Sequence, residues 1–311
     1  MLELNGTRVL VTGGSGFVGS YLAAGLAAAG ARVTALVRRL GDHPGLGSPN
    51  IAQVEGDFVD LETARRACAD AAFVVHSAAT IGADLAEARR VNVQGTAGLA
   101  AAARAAGCRR FVYISTLSVY DFGAGLAVYG EAAPLKSEVK AYSHSPAASP
   151  YYGLSKAEAE RALAAEVERG LPVTVLRLGA VLGVHPTSSW AVQVPAKIRA
   201  GKVAVVGDGS DPYPWTHVKN VERALRLALD QPAAEGRAYN LVDGQEPWRR
   251  YIEDVRSWFP DAPEAPVLPR ETPAFLGHCP GDRIRAELGY APVQSYEEGM
   301  AEAAAWWRER G

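Results

Sequence analysis

The sequence predicts an α/β fold, a doubly wound parallel sheet with a smaller, discontinuous C-terminal lobe. Three observations predict it. Short apolar runs alternate with helical stretches through the first half of the chain, a glycine-rich turn follows the first run, and the alternation gives way to scattered prolines from Pro186 onward. With 311 residues and 48% hydrophobic content the chain can bury a large core.

The elements follow in order. Residues 8–11 read as the first strand, 16–29 as a helix, 32–37 as the second strand, and 71–76 as a later one. Residues 86–106 read as one long Ala-rich helix stopped by Gly107, and 110–115 as the next strand. Residues 155–169 form a second long helix stopped by Gly170, followed by strand 173–177 and a late returning strand at 239–242. Pro195, Pro212, Pro214, Pro232 and Pro247 punctuate the remainder, residues 260–273 form a Pro-rich connection, and 296–309 read as an amphipathic helix docked through Met300, Trp306 and Trp307. The expected division is a dinucleotide domain of residues 1–178 plus 216–243, and a substrate lobe of 179–215 plus 244–311. No repeat with a period of 20 to 50 residues is visible.

Composition narrows the function. A formal net charge of -2 and scattered Lys and Arg leave no basic stripe, so neither nucleic acid nor a membrane surface is an expected partner. The N-terminal residues lack a signal-peptide pattern and no uncharged run reaches about 18 residues, so the expected location is cytoplasmic. Cys68, Cys108 and Cys279 are odd in number and far apart, and are expected to be free thiols. No His-rich spacing suggests a metal; His144 reads as a loop residue and His217 as a satisfied core histidine.

The turn Thr12-Gly13-Gly14-Ser15-Gly16-Phe17-Val18-Gly19 follows a strand and opens a helix, with Gly13, Gly16 and Gly19 three apart. Glycines allow a tight turn and a close backbone approach, so a pyrophosphate can sit at the helix N-terminus. The competing reading is a merely structural turn. At the end of the second strand, where an acidic residue would bind an adenosine ribose, stand Arg38 and Arg39. A guanidinium can hold a 2′-phosphate with charge-assisted hydrogen bonds, so NADP is the expected cofactor, with NAD possible if these are plain surface charges. Tyr152 and Lys156, in Tyr152-Gly153-Leu154-Ser155-Lys156, share one helix face, and an ammonium beside a phenol favours the phenolate. Tyr151 has Ser155 four residues on and lacks that cation.

With Gly56-Asp57-Phe58-Val59-Asp60, His76-Ser77-Ala78-Ala79, Asn92-Val93-Gln94-Gly95-Thr96, Ser115-Thr116-Leu117-Ser118-Val119-Tyr120, Trp215-Thr216-His217-Val218 and Glu287-Leu288-Gly289-Tyr290 in order, the chain resembles the extended short-chain dehydrogenase/reductase, or NAD-dependent epimerase/dehydratase, family over nearly its whole length. That resemblance implies a Rossmann-type sheet and a cofactor site of Gly13, Ser15, Gly16, Phe17, Val18, Gly19, Arg38, Asp57, Phe58, Ala78, Ala79, Tyr152, Lys156, Gly179 and Val181. Asp57 is expected at the adenine, and Ala78 and Ala79 along the cofactor channel. It implies Tyr152 as acid/base, Lys156 tuning the phenol and binding the nicotinamide ribose, Thr116 holding the substrate oxygen, and Asn92 near a proton-relay water, with helix capping as the alternative for Asn92. Ser115 and Thr116 point to opposite faces of a strand, so one of them reaches the site.

Departures from the family pattern narrow the member. Leu117-Ser118 replaces the Asp-Glu of dehydratases, Tyr213 stands where sugar-nucleotide epimerases carry an arginine that clamps the diphosphate, and Leu178-Gly179 replaces the usual Asn. Thr80, Leu117, Ser118, Tyr120, Trp190, Tyr213 and Trp215 are expected on the substrate side, with Val181 and Phe275, although several could be lobe core. The resulting expectation resembles the dihydroflavonol-reductase and 3β-hydroxysteroid-dehydrogenase-like branch: an NADP(H)-dependent carbonyl reductase or alcohol dehydrogenase acting on a small, largely uncharged ketone, aldehyde or alcohol. The alternatives are a nucleotide-sugar 4-epimerase or 4-ketoreductase with a diphosphate site from Arg199, Lys202, Arg249 or Arg283, and a non-catalytic NADP-sensing regulator. The family resemblance also implies a homodimer, with helices 86–106 and 155–169 forming a four-helix bundle. Residues 121–150 form a long connection, either a lid or a surface excursion.

Overall fold

The computed structural model describes residues 3–139, 149–270 and 277–310. Strands β1 (Arg8–Thr12), β2 (Arg32–Val37), β3 (Ile51–Glu55), β4 (Phe73–His76), β5 (Arg110–Thr116), β6 (Val173–Leu178), β7 (Ala180–Leu182), β8 (Val205–Val206), β9 (Pro212–His217), β10 (Arg237–Leu241), β11 (Gly244–Pro247) and β12 (Val267–Leu268) form three sheets. The largest is seven-stranded and parallel throughout, in the order β3-β2-β1-β4-β5-β6-β10. Its central strands are buried on both faces, which is why they read as unbroken apolar runs rather than alternating ones. The order reverses between β1 and β4, so the connections leaving their carboxyl ends part and open a crevice.

Helices α1 (Phe17–Ala28), α2 (Leu61–Cys68), α3 (Leu85–Ala88), α4 (Thr96–Ala105), α5 (Pro150–Glu168), α6 (Val194–Arg199), α7 (Val218–Asp230), α8 (Trp248–Arg256), α9 (Asp282–Leu288) and α10 (Tyr296–Arg308) complete the chain. One apolar core lies between the sheet and α1 and α7, built on Val9, Val11, Leu22, Leu26, Val221 and Leu225. A second, with Leu10, Val74, Leu99, Phe111, Tyr113 and Leu163, lies under α2, α4 and α5. The smaller sheet, β11-β9-β7, packs with α6, α8 and α10 around Ile198, Tyr213, Trp215, Tyr251, Phe259 and Tyr296.

Four differences from the sequence reading have physical causes. Strand β3 went unrecognised because it is an edge strand, largely exposed after Ile51, and has no apolar run. Helix α2 is short and polar, started by Asp60, whose carboxylate accepts from the Thr63 amide at 2.7 Å. The helix expected over 86–106 is interrupted, since residues Arg89–Gly95 form a π-helical stretch between α3 and α4. Helix α5 begins five residues earlier than expected, with Pro150 in its first turn. The terminal helix docks through Met300 and Trp307, with a Ser295–Glu298 capping box and Trp307 Nε1 donating to the Ala191 carbonyl at 2.9 Å, whereas Trp306 stays partly exposed beneath the Arg310 guanidinium. Among the described residues, no helix is long and apolar enough to cross a membrane.

Candidate functional site

The glycine turn lies at the crevice, and its geometry depends on glycine. Gly13 has φ of +72°, and a Cβ there would come within 2.8 Å of the Ala78 amide nitrogen at the end of β4. A Cβ on Gly19 would strike the Gly13 carbonyl. The first turn of α1 has neither a side-chain cap nor an acidic residue, so its amides and the positive end of its dipole face the crevice without a competing carboxylate. This cradle fits the pyrophosphate of a dinucleotide. Beneath it, His76 is fully buried, its two ring nitrogens 2.6 Å from Thr12 Oγ1 and 2.8 Å from Thr96 Oγ1, and burial with the nearby Lys156 charge holds it neutral, well below the usual histidine range.

Ser15, Phe17 and Val18 are partly exposed along the turn, and Ala79 is exposed beside partly buried Ala78. Asp57 is exposed just past β3 and Phe58 lies edge-on to His76. Gly179 and Val181 flank the other side, where a Cβ on Gly179 would meet the Pro214 carbonyl at 2.8 Å. Arg38 and Arg39 are exposed at the end of β2, and neither guanidinium has a partner among the described residues.

Tyr152 and Lys156 lie on the first turns of α5, facing the end of β5. Gly153 makes that closeness possible: a Cβ there would strike the Ser118 carbonyl. Thr116 ends β5 partly exposed, its Oγ1 accepting from the Ser118 amide at 3.2 Å, whereas Ser115 turns inward and donates to Glu160 at 2.5 Å. Of the two neighbours, Thr116 is therefore the one free to face the crevice. Lys156 is buried; its Nζ donates to the Ile114 carbonyl at 2.6 Å and sits 3.9 Å from the centre of the Tyr113 ring. Burial draws Lys156 down to about 7, against the opposing pull of Glu160. Burial also pushes the Tyr152 phenol up to about 12, the opposite direction from the lowering expected of a neighbouring ammonium.

Asn92 sits in the π-helical stretch and is fully committed. Its Oδ1 accepts from the Thr80 amide at 2.8 Å, and its Nδ2 donates to the Thr80 carbonyl and to Ser155 Oγ, both at 2.9 Å. Ser155 in turn donates to the Tyr152 carbonyl at 3.0 Å. Asn92 thus ties the strap at Thr80 to the helix turn that carries Tyr152. This bracing role was not read from the sequence, and neither was that of Ser155, although its place between Tyr152 and Lys156 was a signal.

Of the residues expected on the substrate side, Thr80, Ser118 and Trp190 are partly exposed, whereas Leu117, Tyr120, Tyr213 and Trp215 are buried. The Tyr213 ring stacks on Tyr251 with centroids 4.6 Å apart and meets Trp190 edge-on at 5.0 Å. Tyr120 donates to Asn240 Oδ1 at 2.6 Å and receives Arg177 Nη1 at 2.8 Å. His217 is fully buried, with Nδ1 accepting from the Lys219 amide at 3.3 Å and Nε2 at ion-pair distance, 3.5 Å, from Glu302. Residues 121–139 are pinned by Tyr129 and Glu131, whose carbonyl and carboxylate each bond Asn240; His144 and Phe275 lie outside the described residues. Cys68, Cys108 and Cys279 are free and buried.

Comparison with known proteins agrees with this architecture. Residues 9–241 match the profile of the NAD dependent epimerase/dehydratase family. The 2-alkyl-3-oxoalkanoate reductase of Stenotrophomonas maltophilia is 31% identical over 266 residues, spanning 80% of this chain and 74% of its own. The dTDP-glucose 4,6-dehydratase of Streptomyces venezuelae, solved with NAD bound, is 26% identical with a TM-score of 0.78 over 97% of each chain. The UDP-glucose 4-epimerase of Thermotoga maritima reaches a TM-score of 0.82 over 98% of this chain and 99% of its own, at 21% identity, a likeness of fold alone. The chain belongs to the NAD-dependent epimerase/dehydratase family and is an NAD(P)-dependent oxidoreductase of the extended short-chain dehydrogenase/reductase type.

Proposed function

We propose that the protein is an NADP(H)-dependent carbonyl reductase or alcohol dehydrogenase acting on a small, largely uncharged ketone, aldehyde or alcohol. The observation that carries this reading is Tyr213, an aromatic packed between Tyr251 and Trp190 at the position where a diphosphate-binding relative would need an arginine. A diphosphate bound there would lack charge-assisted hydrogen bonds. Of the four cations that could replace that clamp, Arg249 donates to the Asp208 carbonyl, Arg283 pairs with Glu287, Arg199 lies over the Phe259 ring, and Lys202 is exposed just past α6. The reductase named among the relatives supports the same direction.

In this reading the bound nicotinamide supplies or accepts the hydride. The Tyr152 hydroxyl gives or takes the proton of the substrate oxygen, and Thr116 Oγ1 orients that oxygen. Lys156, released from the Ile114 carbonyl, holds the nicotinamide ribose and lowers the phenol. Asn92 and Ser155 keep the Tyr152 turn in place. Arg38, exposed and without a partner among the described residues, supports NADP over NAD, with a division into a cofactor domain and a substrate lobe, a cytoplasmic location and a homodimer as parts of the same proposal.

Fluorescence titration with NADPH and NADH tests it. Wild type should prefer NADPH, and Arg38→Ala should weaken NADPH by about 10- to 100-fold, the size of a lost charged hydrogen bond, while leaving NADH nearly unchanged. Equal loss for both, or a cofactor that copurifies and does not exchange, would favour the nucleotide-sugar epimerase instead.

A further inference from the structure

Helix α5 carries Tyr152, Lys156 and Glu160 at intervals of four, so all three rise along one face. Strand β5 meets the last two with consecutive residues. The Ile114 carbonyl accepts from Lys156, and the Ser115 hydroxyl donates to Glu160 Oε1 at 2.5 Å. The other carboxylate oxygen, Oε2, accepts from Arg177 Nη2 at 2.7 Å and Nε at 3.1 Å, and the side chains of both partners are only 6% exposed. Arg177 is itself held by Tyr120 and by the Glu131 carbonyl, so the carboxylate is fixed from β5, β6 and the segment after β5.

A buried ion pair can be purely architectural, and removing one partner is then costly for that reason alone. The surroundings of Lys156 point further. The titratable groups that face it are Tyr152 and Glu160 on its own helix, Tyr113 on β5 and His76 on β4. Tyr113 and Tyr152 are phenols held neutral by burial, and His76 is neutral for the same reason, so the one carboxylate among them is that of Glu160, ion-paired with Arg177. A lysine desolvated this thoroughly gives up its proton unless a fixed negative charge opposes the loss.

We propose that Glu160 is a positioning residue of the hydride site, a carboxylate braced by Ser115 and Arg177 that raises the proton affinity of Lys156 and so favours its ammonium form. The proposal rests on the reading of Tyr152 and Lys156 as the proton-handling pair. The ammonium is what lowers a phenol and binds a ribose hydroxyl as a donor, so the helix supplies both the working lysine and, one turn on, the charge that favours its protonated form.

The chain has six lysines, few enough to follow singly by NMR of protein labelled with carbon-13 at lysine Cε, with the Lys156 signal assigned from a Lys156→Arg variant. Titration of the intact, cofactor-free protein reads the midpoint of Lys156 directly and needs no substrate. In Glu160→Gln, which keeps the shape and an acceptor for Ser115, that midpoint should fall by about one to three pH units. Glu160→Asp, which keeps the charge, should restore most of it. If Glu160→Gln does not fold, Glu160→Gln combined with Arg177→Met removes the anion together with its counter-cation, and a smaller fall in the same direction is expected. A Lys156 midpoint unchanged in a folded variant lacking the carboxylate overturns the proposal. Failure of the underlying reading shows separately, as a Tyr152→Phe variant that turns over carbonyl substrate at the wild-type rate.

Discussion

At the scale of single residues the site depends on which polar groups are already committed. Ser115 and Asn92 are spent on Glu160 and Thr80, whereas Thr116 Oγ1 accepts from the Ser118 amide and keeps its proton to give, and the Tyr152 hydroxyl has no hydrogen-bond partner among the described residues. Tyr152 is protonated through the neutral range because burial raises it to about 12, which suits a proton donor in the reductive direction. Replacing Tyr152 by Phe should therefore lower kcat by about 10²- to 10⁴-fold, the usual contribution of a positioned acid, while the NADPH dissociation constant stays within about twofold. Steady-state rates beside a fluorescence titration measure both. A variant that loses cofactor affinity and turnover in parallel would make Tyr152 a binding group instead of the acid.

At the scale of elements, close approach is the controlling demand. The first turn of α5 lies against the 3₁₀ turn Leu117–Val119 because Gly153 offers no side chain to the Ser118 carbonyl. Carbonyl and helix backbone cannot both yield, since Thr116 Oγ1 holds Ser118 from one side and Lys156 ties α5 to β5 from the other. Gly153→Ala should destabilise the fold by about 1–3 kcal/mol and displace Tyr152 from Thr116, so that activity falls further than stability does. Urea unfolding midpoints and kcat, measured on the same preparation, check this. An unchanged midpoint with full activity would mean that the two elements slide apart at no cost.

At the scale of the whole molecule, α4 and α5 pack on the same face of the seven-stranded sheet, and their ion pair between Arg104 and Glu166, at 2.8 Å, joins them into one unit. Their outer surfaces carry small residues, Ala97 and Ala101 on α4 and Ala162 and Ala165 on α5, all partly exposed. Small side chains let two such pairs approach closely across a two-fold axis. Sedimentation equilibrium should accordingly give a mass near twice the 32.9 kDa of one chain, and a single-chain mass at micromolar concentration would refute the dimer.

The sequence by itself determined the parallel sheet, the glycine cradle and the spacing of Tyr152 and Lys156, because each rests on local chemistry: apolar runs, residues that tolerate positive φ, and the period of a helix. It left β3 and α2 unseen, since an edge strand and a short polar helix draw their stability from neighbours more than from their own pattern. Its expectation that Lys156 lowers the Tyr152 phenol was overturned, because burial, which raises it, is a property of everything packed around a group. Tertiary structure alone decided that Lys156 rests on Ile114, that Asn92 reaches Thr80 and Ser155, and that Glu160 meets Ser115 and Arg177. The partners in these contacts lie between 12 and 63 residues apart in the chain, at separations no periodicity encodes, and only folding brings them within hydrogen-bond distance.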